Sequence, residues 1–169
     1  MKGSLAIVAL FALIGASAGP TAGEIAAAKH AFAPLLPSLS KSGVPVLLPG
    51  SLPGPDLINA IPQLESADAN GYSIELGLAP DCYGATACRI GHISGKKSDG
   101  SALKGEPVSL PIGVTGYFIL GPCGSSCSDS TLTFDRNGYR YAFGEKGASK
   151  GDLREFASTI VTPAQLRSE

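Results

Sequence analysis

The chain has 169 residues with 13 Lys+Arg against 14 Asp+Glu, a formal net charge of −1, so no cationic excess is available for a phosphate backbone and nucleic-acid binding is disfavoured. Charged residues are only 16% and Gly and Pro number 22 and 13, yet 44% hydrophobic residues can still build a core. That balance argues against global disorder and for one small globular domain.

The first eighteen residues combine Lys2, an apolar run from Leu5 to Ile14 and the small-residue sequence Ala16-Ser17-Ala18. These are the charged, apolar and cleavage parts of a secretory signal, with cleavage expected after Ala18. The run is shorter than the ~20 residues a membrane span needs. The first cysteine is Cys82, and Leu166-Arg167-Ser168-Glu169 offers neither an apolar tail nor a prenylation cysteine, so no lipid anchor is expected. The expectation is a secreted or periplasmic protein without a stable membrane anchor.

Residues 19–62 read as a short helix and a Pro-rich covering segment. Glu24 to Phe32 is rich in Ala and bounded by Gly23 and Pro34, which predicts a helix packing through Ile25 and Phe32. From Pro34 to Pro62 the prolines block regular helix and confine any strand, such as Val44 to Leu48, to a sheet edge. Val46, Leu47, Leu48 and Leu52 are too apolar for a free linker, so this segment is expected to lie across the domain rather than serve as a Pro-rich recognition motif.

Residues 63–169 read as a disulfide-pinned α+β domain. Tyr72, Ile74, Leu76 and Leu78 alternate with Ser73, Glu75 and Gly77 after the turn Asn70-Gly71, which predicts a half-buried strand. Further strands are expected at Cys88 to Ile93, Pro107 to Leu110 and Val114 to Leu120, with Gly95 to Gly105 as a polar connection. Asn137-Gly138 suits a two-residue type I′ turn, which sets Phe134 against Tyr141 and Leu132 against Phe143 on a buried side, and Asp135 against Arg140 toward water. Leu153, Phe156, Ala157, Ile160 and Val161 predict a closing helix from Lys150 to Val161. The expected architecture is an antiparallel meander of about five strands, packed by that C-terminal helix.

The four cysteines form two close pairs, Cys82 with Cys88 and Cys123 with Cys127. Export predicts disulfides, and three connectivities exist. Local pairing is preferred because Tyr83 to Ala87 and Gly124 to Ser126 read as flexible tips that need pinning. A four-thiolate zinc site fits poorly, since the spacings are not C-x-x-C knuckles and export opposes reduced thiols. Nor does either pair sit as a C-x-x-C redox motif at a helix start.

The two histidines, His30 and His92, supply no H-E-x-x-H, and no G-x-S-x-G elbow, Walker loop or G-x-G-x-x-G occurs. His92 with Ser125 or Ser126 and Asp129 could be imagined as a triad, but nothing in the sequence brings them together. The carboxylate pairs Glu75 with Asp81 and Glu65 with Asp68 read as ordinary surface residues. No catalytic residue, cofactor or metal ligand is assigned.

The stretches NGYSIELGLAPDCYGATACRIGHISG and VTGYFILGPCGSSCSDSTLTFDRNGYRYAF together resemble a family of small exported bacterial proteins of uncharacterised function. The family shares two close cysteine pairs, a Gly-Tyr-Phe strand and a C-terminal aromatic hairpin. The resemblance covers about the last two-thirds of the chain and carries over no catalytic residue. It is similar in fold to extracytoplasmic sheet-and-helix modules, which implies nothing about function by itself. The leading expectation is a non-enzymatic binding module of the cell envelope, meeting a protein or small ligand through Asp81, Tyr83, Ser125 and Ser126. The alternatives are a hydrolase with a site near His92 and an enzyme inhibitor presenting the loop from Asp81 to Cys88.

Overall fold

A computed structural model describes residues 22–52, 57–82, 87–124 and 127–161. The expected secretory signal and the tips of both cysteine loops lie outside them. Helix α1 (Ala22–Phe32) runs through a single 3-10 turn into a one-turn helix α2 (Leu36–Leu39), the turn and α2 each carrying a proline, Pro34 and Pro37, that suits a first turn. Phe32, Leu36 and Leu39 are buried. The Pro-rich segment then crosses the domain with Val44, Val46, Leu47, Leu48, Leu52 and Leu57 all in one core cluster, so it is a cover and not a linker.

Seven strands form one antiparallel sheet: β2 (Ile61–Asp68), β3 (Gly71–Gly77), β4 (Arg89–Lys97), β5 (Glu106–Ser109), β6 (Thr115–Ile119), β7 (Asp129–Arg136) and β8 (Tyr139–Lys146), in the order β2-β3-β4-β8-β7-β6-β5. The count exceeds the expected five. One addition is β2, whose sequence Ile-Pro-Gln-Leu-Glu-Ser-Ala-Asp hides its alternation behind a proline and a register shift between Leu64 and Ser66. The connectivity is also not one meander. The polar connection after Lys97 carries the chain to the far edge, and β5 to β8 then return to pair β8 with β4. Arg140 anchors this crossing, donating to the Ser101 hydroxyl at 2.8 Å and the Ser101 carbonyl at 2.6 Å. Both edge strands carry a proline, Pro62 and Pro107, which interrupts the ladder another sheet would need.

The final hairpin has the expected register. Asn137 and Gly138 take φ of 52° and 82°, as a type I′ turn requires, and Phe134 faces Tyr141, Leu132 faces Phe143 and Asp135 faces Arg140. The Phe134 and Tyr141 rings stack at 5.5 Å. The ion pair is less open than expected: the crossing segment leaves the Arg140 side chain only 11% exposed, with Asp135 at 2.9 Å and Asp99 at 3.2 Å.

Helix α3 (Lys150–Ser158) begins in a capping box, Ser149 accepting from the Asp152 amide while the Asp152 carboxylate accepts from the Ser149 amide. It ends at Ser158, before the expected Val161. The β-branched run Thr159-Ile160-Val161 favours extended backbone, and strand β9 (Ile160–Val161) pairs with β1 (Leu48–Pro49). Ser51 and Gly50 amides donate to the Thr159 hydroxyl and carbonyl, tying the helix exit to the Pro-rich cover. Phe156 meets Phe143 edge-on at 5.2 Å. One face of the sheet is thus sealed by α1, the Pro-rich segment and α3, and the hydroxyls of Tyr72 and Tyr141 donate to the Leu47 and Pro45 carbonyls of that cover at 2.8 and 2.9 Å.

Candidate functional site

Successive residues of a strand face opposite sides, so the residues between the core positions form a second, polar face. His92, Ser94 and Lys96 of β4, Arg140, Ala142 and Gly144 of β8, and Asp129, Thr131, Thr133 and Asp135 of β7 stand on it by register. Among the described residues no helix or strand packs over it.

Both cysteine pairs close locally, Cys82–Cys88 with Cα atoms 5.7 Å apart and Cys123–Cys127 with Cα atoms 4.0 Å apart, and no described cysteine is free. Two disulfides mark the chain as suited to an oxidising, extracytoplasmic environment. They also leave no thiolate for zinc, and the described residues contain no group of three or more metal-ligating side chains.

The antiparallel order brings the two pinned loops to the same end of the sheet. One leaves the end of β3 and enters the start of β4; the other leaves the end of β6 and enters the start of β7. Each is closed at its base by a backbone bond, Leu78 to Cys88 at 3.0 Å and Ser128 to Pro122 at 2.9 Å. The first loop folds back onto the polar face at Gly77, where a Cβ would stand 2.8 Å from the Cys82 Cβ, so only glycine admits the disulfide there. Gln63 Nε2 donates to the Ala79 carbonyl at 2.7 Å and holds the fold-back in place.

Asp129 ties the bases of the two loops together. Its Oδ2 accepts from Arg89 at 3.1 Å and from His92 Nδ1 at 2.8 Å, both from β4, although β8 lies between. Gly144 of β8 makes the span possible, since a Cβ at that position would come within 2.1 Å of the His92 ring. The carboxylate fixes the ring hydrogen on Nδ1 and turns Nε2 away from Asp129. Burial works to raise the Asp129 pKa, but the His92 hydrogen bond and the charges of Arg89, His92 and Lys146 outweigh it and hold the carboxyl below its ordinary range. Next to His92 in register, Glu75 faces Gln63, and both are buried under the folded-back loop with Glu75 Oε1 and Gln63 Oε1 lacking a partner among the described residues.

Among the described residues, the large apolar side chains that remain exposed lie at this same end, in two pairs with β4, β8 and β7 between them. Ile61 opens β2, Leu78 follows β3, and Ile119 and Leu120 close β6, with exposures of 36, 51, 51 and 67%. The charged Arg89–Asp129–His92 tie therefore stands between two exposed apolar pairs.

Of the loop residues singled out in the sequence, Asp81 is exposed in the turn before a fully buried Cys82. Tyr83, Ser125 and Ser126 lie outside the described residues. The structure joins His92 to Asp129, which sequence left apart, and no described hydroxyl bonds to His92. Arg89, Gly144 and the exposed apolar residues escaped sequence reasoning. Period-two alternation from Ile93 and Leu132 could have put His92 and Asp129 on one face; their contact needs the long-range pairing of β4 with β8.

No family model, curated protein or solved structure matches the chain.

Proposed function

We propose that the chain is an exported, non-enzymatic binding module of the cell envelope, delivered by cleavage after Ala18, that meets an envelope protein or small ligand with the end of the sheet carrying both pinned loops. The observation that carries this reading is the coincidence, at one end, of two disulfide loops, their Arg89–Asp129–His92 tie and the exposed Ile61, Leu78, Ile119 and Leu120. Small recognition domains work this way, because a covalently closed loop loses little freedom on binding and exposed apolar side chains beside charged groups offer contact area. Family membership of the kind the cysteine pairs and aromatic hairpin resemble is part of the same reading.

The test is a comparison of wild type with Leu78→Asp and Leu120→Asp, both on exposed positions, in affinity capture from the envelope fraction of the source cell followed by a direct binding titration. A partner held by wild type and weakened at least tenfold by either change supports the module. Retention by both variants at wild-type affinity removes this surface from consideration.

A hydrolase is the second reading, and the 2.8 Å His92–Asp129 bond favours it as the orienting half of a triad. It requires a nucleophile at His92 Nε2. Turnover of ester, amide or glycoside substrates that disappears in His92→Ala would replace the binding module with an enzyme. The inhibitor reading needs the Asp81 to Cys88 loop to project, and Cys82 packed against Gly77 restrains its first part.

A further inference from the structure

The other end of the polar face carries a feature independent of the loops. Asp68 of β2, Gly71 of β3 and Lys96 of β4 are consecutive partners in one cross-strand row. A Cβ at position 71 would stand 2.2 Å from the Gly95 carbonyl oxygen, so the middle of this row holds no side chain. The gap is the floor of a depression of about 230 Å³, walled by Ser66, Asp68 and Asn70 on one side and Ser94 and Lys96 on the other.

The walls carry opposite charges that do not meet. Asp68 and Lys96 belong to none of the ion pairs formed among the described residues. Two strand steps separate them, roughly 10 Å between backbones. Asp68 is exposed, and its Oδ1 accepts from the Asn70 amide at 2.7 Å, which restrains the carboxylate and leaves Oδ2 available to a ligand. Lys96 lines the far wall on a long, exposed stem and shares its charge with Asp99, whose carboxyl it helps hold below the ordinary range, and the Ser66 and Ser94 hydroxyls on the two walls can donate or accept.

We propose that this depression binds a small zwitterion, with the primary ammonium on Asp68 and the carboxylate on Lys96, the chemistry shared by free α-amino acids and short peptides. A purely anionic ligand would set its charge beside Asp68, and a purely cationic one beside Lys96; only a molecule carrying both signs satisfies the two walls at once. The volume is below the ~300 Å³ at which sites for drug-sized ligands begin, a scale that suits an amino acid or dipeptide. The Ser66 and Ser94 hydroxyls on the walls would orient the ligand by hydrogen bonds, without demanding a particular side chain.

The experiment is an amide NMR titration of the full chain with L-alanine and with L-alanyl-L-alanine, run beside acetate and methylammonium. Saturable shifts at Gly71, Ser94 and Lys96, at about millimolar concentration, are expected for a zwitterion, and the tighter of the two identifies the source as amino acid or peptide. Asp68→Asn and Lys96→Gln should each weaken binding about fivefold while leaving the Gly138 and Phe143 amides in place, showing that the sheet still folds. No saturable shift with either zwitterion up to about 20 mM would overturn the site. So would acetate or methylammonium binding as tightly, or either variant binding as wild type does.

Discussion

The two faces of the seven-stranded sheet are built from alternate residues of the same strands, yet different forces hold them. On the sealed face, Tyr72, Ile74, Ile93, Leu132, Phe134, Tyr141 and Phe143 pack under α3 and the Pro-rich cover, and the two phenol hydroxyls find carbonyls in that cover. On the polar face the contacts are charge-assisted: Arg89 and His92 on Asp129, and Arg140 on Asp135 and Asp99. Burial of rings contributes several kcal/mol per residue, whereas a solvated charge pair contributes about 1. The sealed face should therefore carry the stability, leaving the polar face free to hold recognition chemistry.

The sharpest break of that contrast is Tyr141→Ala. It removes a 2%-exposed ring stacked on Phe134 and is expected to cost about 3–5 kcal/mol in urea melts. Tyr141→Phe keeps the ring and isolates the hydroxyl bond to Pro45, worth about 1 kcal/mol. Burial pushes the Tyr141 hydroxyl up to about 12 and the Tyr72 hydroxyl higher still. An acid whose pKa is raised on folding contributes stability below its unfolded value, near 10, and loses it as pH climbs through the folded value. Wild type should accordingly lose its cover above about pH 10 more steeply than Tyr141→Phe does. Equal alkaline slopes would mean that the Tyr141 hydroxyl does not hold the Pro-rich segment.

Gly144→Ala is expected to come next, at about 2 kcal/mol, because the new Cβ occupies the space of the His92 ring and forces the imidazole off Asp129. Pairing it with His92→Ala should recover most of that loss, since the clash then has no partner. If the double variant is as unstable as the sum of the single ones, the two residues do not share this space.

Arg140→Ala should cost about 1–2 kcal/mol, more than an open surface pair because the side chain also anchors the crossing at Ser101. It remains smaller than Tyr141→Ala. The reverse order would place the crossing segment, rather than the aromatic stack, at the centre of stability.

These residues also show what a sequence can carry. The β7–β8 hairpin was legible to the register because Asn137-Gly138 fixes a local turn and the flanking residues alternate cleanly. Likewise the disulfides followed from loop shape and export. Strand β2 was not legible, since Pro62 and a bulge spoil its period, nor was the end of α3, where three β-branched residues continue an apolar helical stripe into a strand. The candidate site failed for a different reason. His92 and Asp129 are 37 residues apart and meet only because β5 to β8 double back onto β4 across a glycine, a pairing no local pattern encodes. The exposed apolar rim stayed hidden for the same cause, as Leu78 and Leu120 share an end only through the strand order.

The smallest effect tests the tie between the loops. Asp129 is a carboxyl depressed on folding, so its contribution is present above the unfolded value, near 4, and is lost as pH falls through the lower folded one. Arg89 is a third exposed, so screening limits the contribution, and Asp129→Asn should cost less than about 1 kcal/mol at neutral pH. The loss should shrink as acid protonates the wild-type carboxyl, and the two stability curves should converge once the pH has fallen through the depressed folded value. A gap that stays constant into acid would assign the cost to packing around position 129 and not to charge. Convergence, together with weakened partner capture by Asp129→Asn at neutral pH, would show that the polar face spends its modest electrostatic energy on setting the two loops relative to one another.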